Sequence, residues 1–351
     1  MNGKKKILLT GGAGYIGAHT AVELIGQGYE TVLIDDFSKS DQTLLAGIEK
    51  ITGKKPVFFQ GDCCDAKFLE KIFNENSVDS VIHFAAYKSV SESVENPLMY
   101  YENNLGSMTT LLKTMGKFNV NEFIFSSSCT VYGQPEVIPV DENAPFKKAE
   151  SPYGATKQMC ERMLEDIVAA NKNLNVISLR YFNPIGAHPS ALIGELPIGI
   201  PSNLVPYVTQ AAAGLRKKLT IFGSDYHTPD GSCLRDFIHV VDLAQAHVTA
   251  VEKINTMPSR NEAFNLGTGE GVSVLGLVKK FIEVTGVKIN YEIGPRRPGD
   301  IEKVYADPAK AKKLLGWQTK LKLEDALNDA WRWQKKLNLT LNPSPEERDL
   351  L

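Results

Sequence analysis

The chain has 351 residues, 43% of them hydrophobic and 23% charged, with a formal net charge of −2. That length allows two domains, or one large domain with a substantial lobe, and the balance is that of an ordinary globular protein. The near-neutral charge gives no global basic field and argues against nucleic acid as a partner. No apolar run approaches the roughly 20 residues that a membrane helix needs. The charged start, Met1 to Lys6, leads straight into a strand and does not read as a signal peptide. Cys63, Cys64, Cys129, Cys160 and Cys233 are odd in number and lack CxxC spacing. They read as free thiols in a reducing cytoplasm, with neither a disulfide frame nor a metal site.

Short apolar runs alternate with helical patterns through the first half. Lys6–Thr10, Thr31–Ile34, Val57–Gln60, Asp79–Phe84, Glu122–Ser126 and Val176–Tyr181 are predicted strands. Helices are predicted near 15–28, 41–52, 66–76, 97–118 and 152–172. Six near-continuous apolar strands in β-α alternation suit a parallel sheet buried on both faces. The expected fold class is therefore α/β, a doubly wound parallel Rossmann sheet with a smaller C-terminal substrate-binding lobe. After about Tyr181 the chain becomes rich in proline and glycine, too irregular for another βα unit. A helix near 203–215, strands near 219–222 and 263–266, and helices near 240–254 and 273–285 follow. The expected division is a dinucleotide-binding domain over 1–181 and a lobe over 182–341 with some segments returning to the first domain. Residues 342–351 are expected to form a loose polar tail.

Gly11, Gly14 and Gly17 sit at GxxGxxG spacing between the first strand and the first helix. Small residues there let the backbone turn tightly, approach a pyrophosphate and aim helix N-terminal amides at it, with Tyr15 and Ile16 in the same turn. The second strand ends in Asp35, 18 residues after Gly17. A carboxylate at that place accepts from adenine-ribose hydroxyls and repels a 2′-phosphate, which favours NAD over NADP. Asp36 reads as a turn opener, with Lys39 close by, and Asp62, ending the third strand, is a candidate on the adenine side.

Ser151 and Pro152 cap and open a helix in which Tyr153 and Lys157, four residues apart, share a face. A tyrosine acting as a base near neutral pH needs its pKa lowered by roughly 2–3 units, about 3–4 kcal/mol. A lysine cation about 5 Å away supplies about 3 kcal/mol at an effective dielectric near 20, so this pair is expected to be nearly sufficient. The strand before it ends in a serine run, Ser126-Ser127-Ser128, whose hydroxyls reach the C-terminal edge of the sheet. Ser, Tyr and Lys in this order match the short-chain dehydrogenase triad.

The segments TGGAGYIGAHT, VIHFAAYKSVSESVENPLMYYENN, FIFSSSCTVYG, SPYGATK, LRYFNPIGAHPS, GIPSNLVPY, LRDFIHVVDLA, FNLGTGEG and PRRPGD carry a closer resemblance. In this order, over about residues 5 to 340, the chain resembles the UDP-glucose/UDP-galactose 4-epimerases of the extended short-chain dehydrogenase family. The resemblance implies NAD as cofactor, UDP-hexoses as substrates and C4 inversion through a transient 4-keto sugar. It implies that Tyr153 takes the 4-hydroxyl proton, that Ser128 binds the reacting oxygen, and that Lys157 holds nicotinamide-ribose hydroxyls while tuning Tyr153. Phe84, Ala85, Lys88, Asn103, Tyr181 and Phe182 match cofactor-lining positions of the family. Asn183, Asn203, Leu204, Phe222, Arg235, Arg297 and Asp300 match positions that hold UDP. Arginines suit a pyrophosphate bidentately, and an aspartate suits ribose hydroxyls. Structural alternatives stand beside these: an Arg235–Asp236 ion pair, Phe222 as core, His83 as a packed core histidine, and Asn103-Asn104 ending a helical turn. The resemblance also implies a homodimer through the helices near 97–118 and 152–172. Leu105, Met108, Leu111, Leu112 and Met115 suit either that face or packing on the sheet.

Two departures from the family pattern matter. Asp36 and Lys39 stand where asparagines are frequent. Val304 stands where enzymes restricted to glucose and galactose carry a tyrosine, and the smaller side chain leaves room for an acetamido group, so UDP-GlcNAc and UDP-GalNAc are expected substrates too. Two other functions compete. A sugar-nucleotide 4,6-dehydratase needs an Asp-Glu pair after the strand-end hydroxyl, where this chain has Cys129-Thr130. A non-catalytic NAD-sensing protein has no need for Ser128, Tyr153 and Lys157.

Overall fold

The structure is a computed structural model that describes residues 4–297 and 300–341. The tail expected over 342–351 lies outside the described residues. In chain order the first half runs β1 (Lys6–Thr10), α1 (Tyr15–Gly26), β2 (Glu30–Asp35), α2 (Thr43–Thr52), β3 (Val57–Gln60), α3 (Ala66–Glu75) and β4 (Ser80–His83). It continues with α4 (Val90–Glu95), α5 (Pro97–Lys117), β5 (Glu122–Ser128), α6 (Pro152–Ala170) and β6 (Asn175–Tyr181). The second half comprises β7 (Asn183–Ile185), α7 (Leu204–Ala212), β8 (Leu219–Phe222), β9 (Leu234–Arg235), β10 (Phe237–His239), α8 (Val240–Lys253) and β11 (Asn261–Leu266). Then come β12 (Val272–Ser273), α9 (Val274–Thr285), β13 (Tyr291–Gly294), β14 (Lys303–Val304) and α10 (Leu323–Leu341).

The main sheet has the order β11-β6-β5-β4-β1-β2-β3, with every pair parallel. Strand order reverses at β1, which opens a crevice at the C-terminal edge beside the glycine loop. Alternate strand residues feed two cores. Ile7, Leu9, Leu33, Ile82, Ile124, Ile177 and Leu179 pack in one, with α1 and α8. Leu8, Val32, Ile34, Val81, Phe123, Phe125 and Val176 pack in the other, with α3, α5 and α6. Burial on both faces is why the strands read as continuous apolar runs, each large side chain contributing about 1.5–3 kcal/mol.

Six strands were expected, and the sheet has seven. The seventh is β11, which pairs with β6 from Asn261↔Val176 to Leu266↔Tyr181. Its crossover is α8, whose Val240, Val241, Leu243, Ala244, Ala246, Val248, Ala250 and Val251 are all buried. A helix apolar on so many sides belongs in a core, and this one packs against α1. β5 runs two residues beyond its expected end at Ser126, carrying Ser128 to the sheet edge.

The second lobe is built from small sheets, β10-β7, β12-β9-β14 and β13-β8, around a third core with α7, α9 and α10. Val131, Tyr132, Val140, Phe182, Val304 and Ala306 form a separate cluster that ties the loop after β5 to β14. Met108, Leu111 and Met115 are 0–1% exposed and pack in the core of the sheet, which removes them from any dimer face.

Candidate active site

The glycine loop is shaped by close approach. Gly11 has φ of +68°, and a Cβ there would lie 2.8 Å from the Ala85 nitrogen. A Cβ on Gly17 would lie 2.3 Å from the Gly11 oxygen, so neither position accepts a side chain without rearrangement. Gly14 is the N-cap of α1 and offers no side chain to its first amides. An N-terminus left open in this way accepts an anionic group. Tyr15 and Ile16 point away from it: the Tyr15 hydroxyl donates to the Gly186 oxygen at 2.7 Å, and Ile16 packs on the core. What they offer the loop is backbone N–H.

Asp35 braces this loop from β2. Its Oδ2 accepts from Ala13 N (3.1 Å), and its Oδ1 accepts from Phe37 N (3.1 Å) and Ser40 Oγ (2.6 Å). Burial raises its pKa and these donors oppose the rise. Asp36 does open a turn, accepting from Ser38 N and Oγ. Lys39 is paired with Glu92 at 2.7 Å. Asp62 accepts from Cys64 N at 2.7 Å. Phe84 lies against the His247 ring at 4.7 Å, Ala85 N donates to Thr10 Oγ1 at 3.4 Å, and Lys88 meets Glu195 at 3.2 Å. The tight glycine turn, the open amides and the buried acid on β2 fit a dinucleotide.

Asn103 and Asn104 lie inside α5, so they do not end a turn. Asn104, with no role of its own legible in the sequence, ties two elements together. It accepts from Tyr87 N (2.9 Å), and its amide donates to Tyr87 O and Thr156 Oγ1 (3.1 Å each), joining the loop after β4 to α6. Asn103 leans on it through a 3.0 Å bond. His83 is a packed core histidine: 3% exposed, bonded to Thr10 Oγ1 at 2.7 Å and held neutral by burial, its pKa about 3.

Ser128, Tyr153 and Lys157 meet at the ends of β5 and α6. Ser151 caps α6 by accepting from Gly154 N at 3.2 Å, with Pro152 at the first helical position. Tyr153 keeps some surface exposure, but the protein around its phenol pushes its pKa up to about 12, and a hydrogen bond with Ser128 pulls against that rise. Lys157 is 4% exposed, and burial draws its pKa down to about 8. Its Nζ donates to Ser126 O at 2.7 Å and lies 4.8 Å from the Phe125 ring and 5.9 Å from that of Tyr153. Against the expectation that one lysine nearly suffices to lower Tyr153, burial is the largest influence on its phenol and Lys157 donates first to a carbonyl. Tyr181, on β6, shares a hydrogen bond with Ser126 Oγ.

The remaining candidates form two groups. Asn183, Asn203 and Leu204 line a cavity of about 50 Å³ with Glu195. The buried Asn183 Oδ1 has no hydrogen-bond partner among the described residues. Glu195, which no local motif announces, receives both Lys88 and the Asn203 amide. Phe222, Arg235, Arg297 and Asp300 make the second group. Arg297 pairs with Asp300 at 2.7 Å and lies 5.7 Å from the Phe222 ring. Arg235 approaches the same carboxylate at 3.8 Å and donates to Ile301 O at 2.6 Å. Its ion pair is therefore with Asp300. Asp236 instead accepts from Thr268, Gly269 and Ala306 amides. Phe222 is 41% exposed and is not core. Val304 pairs with Arg235 across β14 and β9 and is 4% exposed. Cys129, which follows Ser128, is a thiol pushed up to about 12 by burial, unsuited to replace the acid of a dehydratase.

A family model described as GDP-mannose 4,6 dehydratase matches residues 8–330. The chain is 51% identical to a UDP-glucose 4-epimerase of Bacillus subtilis, covering 93% of this chain and 96% of that protein. It superposes on the Bifidobacterium longum UDP-glucose 4-epimerase solved with NAD+ and UDP, with a TM-score of 0.92, 45% identity and coverage of 97% and 100%. The UDP-Glc/GlcNAc 4-epimerase of Campylobacter jejuni gives a TM-score of 0.81 and 37% identity, with coverage of 95% and 99%.

Proposed function

The chain belongs to the UDP-glucose 4-epimerases, NAD-dependent members of the extended short-chain dehydrogenase family, and from this we propose that Ser128, Tyr153 and Lys157 invert C4 of a UDP-hexose held by the second lobe. The observation that carries this reading is the meeting of these three side chains at the strand edge that opens beside the glycine loop. Gly11, Gly14 and Gly17 with the amides of Tyr15 and Ile16 would hold the pyrophosphate of NAD. Asp35 and Asp62 would serve its adenosine side, and Phe84, Ala85, Lys88, Asn103 and Tyr181 the rest. Bound NAD supplies the acceptor, and later the donor, of a hydride at C4.

The protein's own part is proton transfer and orientation. Tyr153 Oη takes the 4-hydroxyl proton and returns it, while Ser128 Oγ holds the same oxygen through both faces of attack. Burial works against ionisation of Tyr153, so the cation at Lys157 has to offset it in the loaded site. Arg235 and Arg297 hold the diphosphate with Asp300 on ribose, and Asn183, Asn203, Leu204 and Phe222 complete the UDP site. Anchoring at the nucleotide leaves the hexose free to turn over.

Val304 supports a wider substrate range. Its side chain occupies a small part of what a tyrosine would fill, so UDP-GlcNAc and UDP-GalNAc are included in the proposal. Purified protein incubated separately with UDP-Gal and UDP-GlcNAc, followed by proton NMR, should show C4 inversion of both. Inversion of UDP-Gal alone would remove the N-acetyl substrates.

We also propose a homodimer through α5 and α6. The exposed Leu98 of α5 and Met159 of α6 mark that face better than the buried methionines do. Among the described residues no helix is long and apolar enough to cross a membrane. A cytoplasmic location is proposed on the five free cysteines.

A further inference from the structure

An ion pair lies buried behind β5, outside the chemistry assigned so far. Arg180 of β6 and Glu161 of α6 have side chains only 8% and 6% exposed. Arg180 Nε reaches Oε1 at 3.0 Å and Oε2 at 3.2 Å, and Nη2 reaches Oε2 at 2.6 Å. Its Nη1 donates to Tyr132 Oη (2.9 Å) and Glu142 O (3.2 Å). Desolvation makes such a pair a poor source of stability compared with apolar packing, so its value is to be sought in what it holds in place.

What it holds is the catalytic strand end. Ser127 Oγ donates to Glu161 Oε1 at 2.5 Å. Ser127 stands between Ser126, whose carbonyl receives Lys157 Nζ, and Ser128, which bonds Tyr153. Glu161 is also one helical turn beyond Lys157 on α6, so a single carboxylate grips both elements.

We propose that Glu161, braced by Arg180, is a positioning residue for the epimerisation, locking Ser126–Ser128 of β5 against the Tyr153–Lys157 turn of α6. This rests on the reading of Ser128, Tyr153 and Lys157 given above. The carboxylate has an electrostatic consequence as well. Lys157 is faced by Tyr153, Cys160 and Glu161 on its own helix and by His83 from β4, with Phe125 of β5 beneath it. Arg180 from β6 acts on it through Glu161. Glu161 is the only carboxylate in this set, and it opposes the downward pull of burial on Lys157. Removing its charge lowers the pH at which Lys157 loses its proton, so the alkaline limb of turnover moves to lower pH.

The test uses NAD-loaded enzyme and the variants Ser127→Ala, which leaves the ion pair intact, Glu161→Gln, and the conservative Glu161→Asp. Ser127→Ala should lower kcat for UDP-Gal about 10-fold with KM unchanged, and Glu161→Gln about 100-fold, the scale of an ångström-sized misplacement. Glu161→Asp should recover part of that loss, and the alkaline limb should move down in Glu161→Gln alone. A readout independent of turnover is the phenolate absorbance of Tyr153, taken as a difference from Tyr153→Phe. In Ser127→Ala it should titrate at higher pH, because the Ser128 bond is loosened. Variants that melt earlier but keep wild-type kcat, pH profile and Tyr153 titration would overturn the proposal. If Glu161→Gln does not fold, Ser127→Ala decides by the same measures. A wild-type protein without epimerase turnover would sink the underlying reading, and the Tyr153 titration would still decide whether Ser127 and Glu161 position that residue.

Discussion

The floor and the rim of the crevice are built on opposite principles. At the floor, Ser128 is 7% and Lys157 4% exposed, both on long elements backed by the sheet core. At the rim, Phe222 is 41% exposed and the Arg297 side chain 57%, on a short strand and a segment outside regular structure. A proton moves efficiently only between groups held at fixed distance with water reduced, which favours regular structure and burial. A charged nucleotide has to be caught and released, which favours exposed cations whose present partners are weak. The Arg297–Asp300 pair is of that kind, an exposed contact three residues apart worth well under about 1 kcal/mol. Arg297 can therefore exchange it for a phosphate.

The contrast predicts separable kinetic effects. Tyr153→Phe should lower kcat by about 10²–10⁴-fold while NAD content is retained, because only the acid/base group is lost. Equal turnover in that variant, measured with UDP-Gal, would dissolve the distinction between floor and rim. Arg235→Leu should instead raise KM by about 10- to 100-fold with kcat much less changed, the worth of a charge-assisted hydrogen bond. A fall confined to kcat would move Arg235 from the rim to the floor. Val304→Tyr should suppress UDP-GlcNAc turnover about 10-fold or more and leave UDP-Gal turnover within about 3-fold, since steric exclusion in a packed site costs about 1–3 kcal/mol. Parallel assays on the two substrates decide it.

The smallest effect on turnover concerns the backing of the floor. Burial lowers the pKa of His19 and His83 from 6.5 to about 3. Between those values the unfolded chain binds protons that the folded chain refuses, so stability is lost as pH falls below 6.5 and is untouched above it. The loss should be about 1 kcal/mol per histidine for each pH unit below 6.5. Thermal midpoints should therefore fall between pH 7 and pH 5. His83→Asn should flatten part of that fall.

Much of the fold and the floor was legible because their signals are local. The glycine spacing, the Ser151-Pro152 helix start and Tyr153 four residues before Lys157 each lie within one or two turns of chain. Strand hydrophobicity declared the parallel sheet, since both faces are buried. The strand near 263–266 was legible, but its membership of the main sheet was not, because that depends on α8 crossing back to pack on α1, a contact between residues more than 200 positions apart. Glu195, Asn104 and the Glu161–Arg180 pair escaped for the same reason: each draws its meaning from a distant partner. Tyr153 shows the limit most sharply. Its spacing to Lys157 is a local feature, whereas the burial that raises its pKa is not, because spacing carries no measure of burial.

By itself, then, the sequence determined the layered α/β architecture, the tight glycine turn after β1 and the Tyr153–Lys157 spacing on one helix face, all set by short-range periodicity and steric need. Only the tertiary structure decided the seventh strand, the Arg235–Asp300 pairing, the core position of Met108 and the pull on Tyr153 and Lys157. Those depend on which surfaces lose water together, and desolvation is a property of packed neighbours that no single stretch of chain contains.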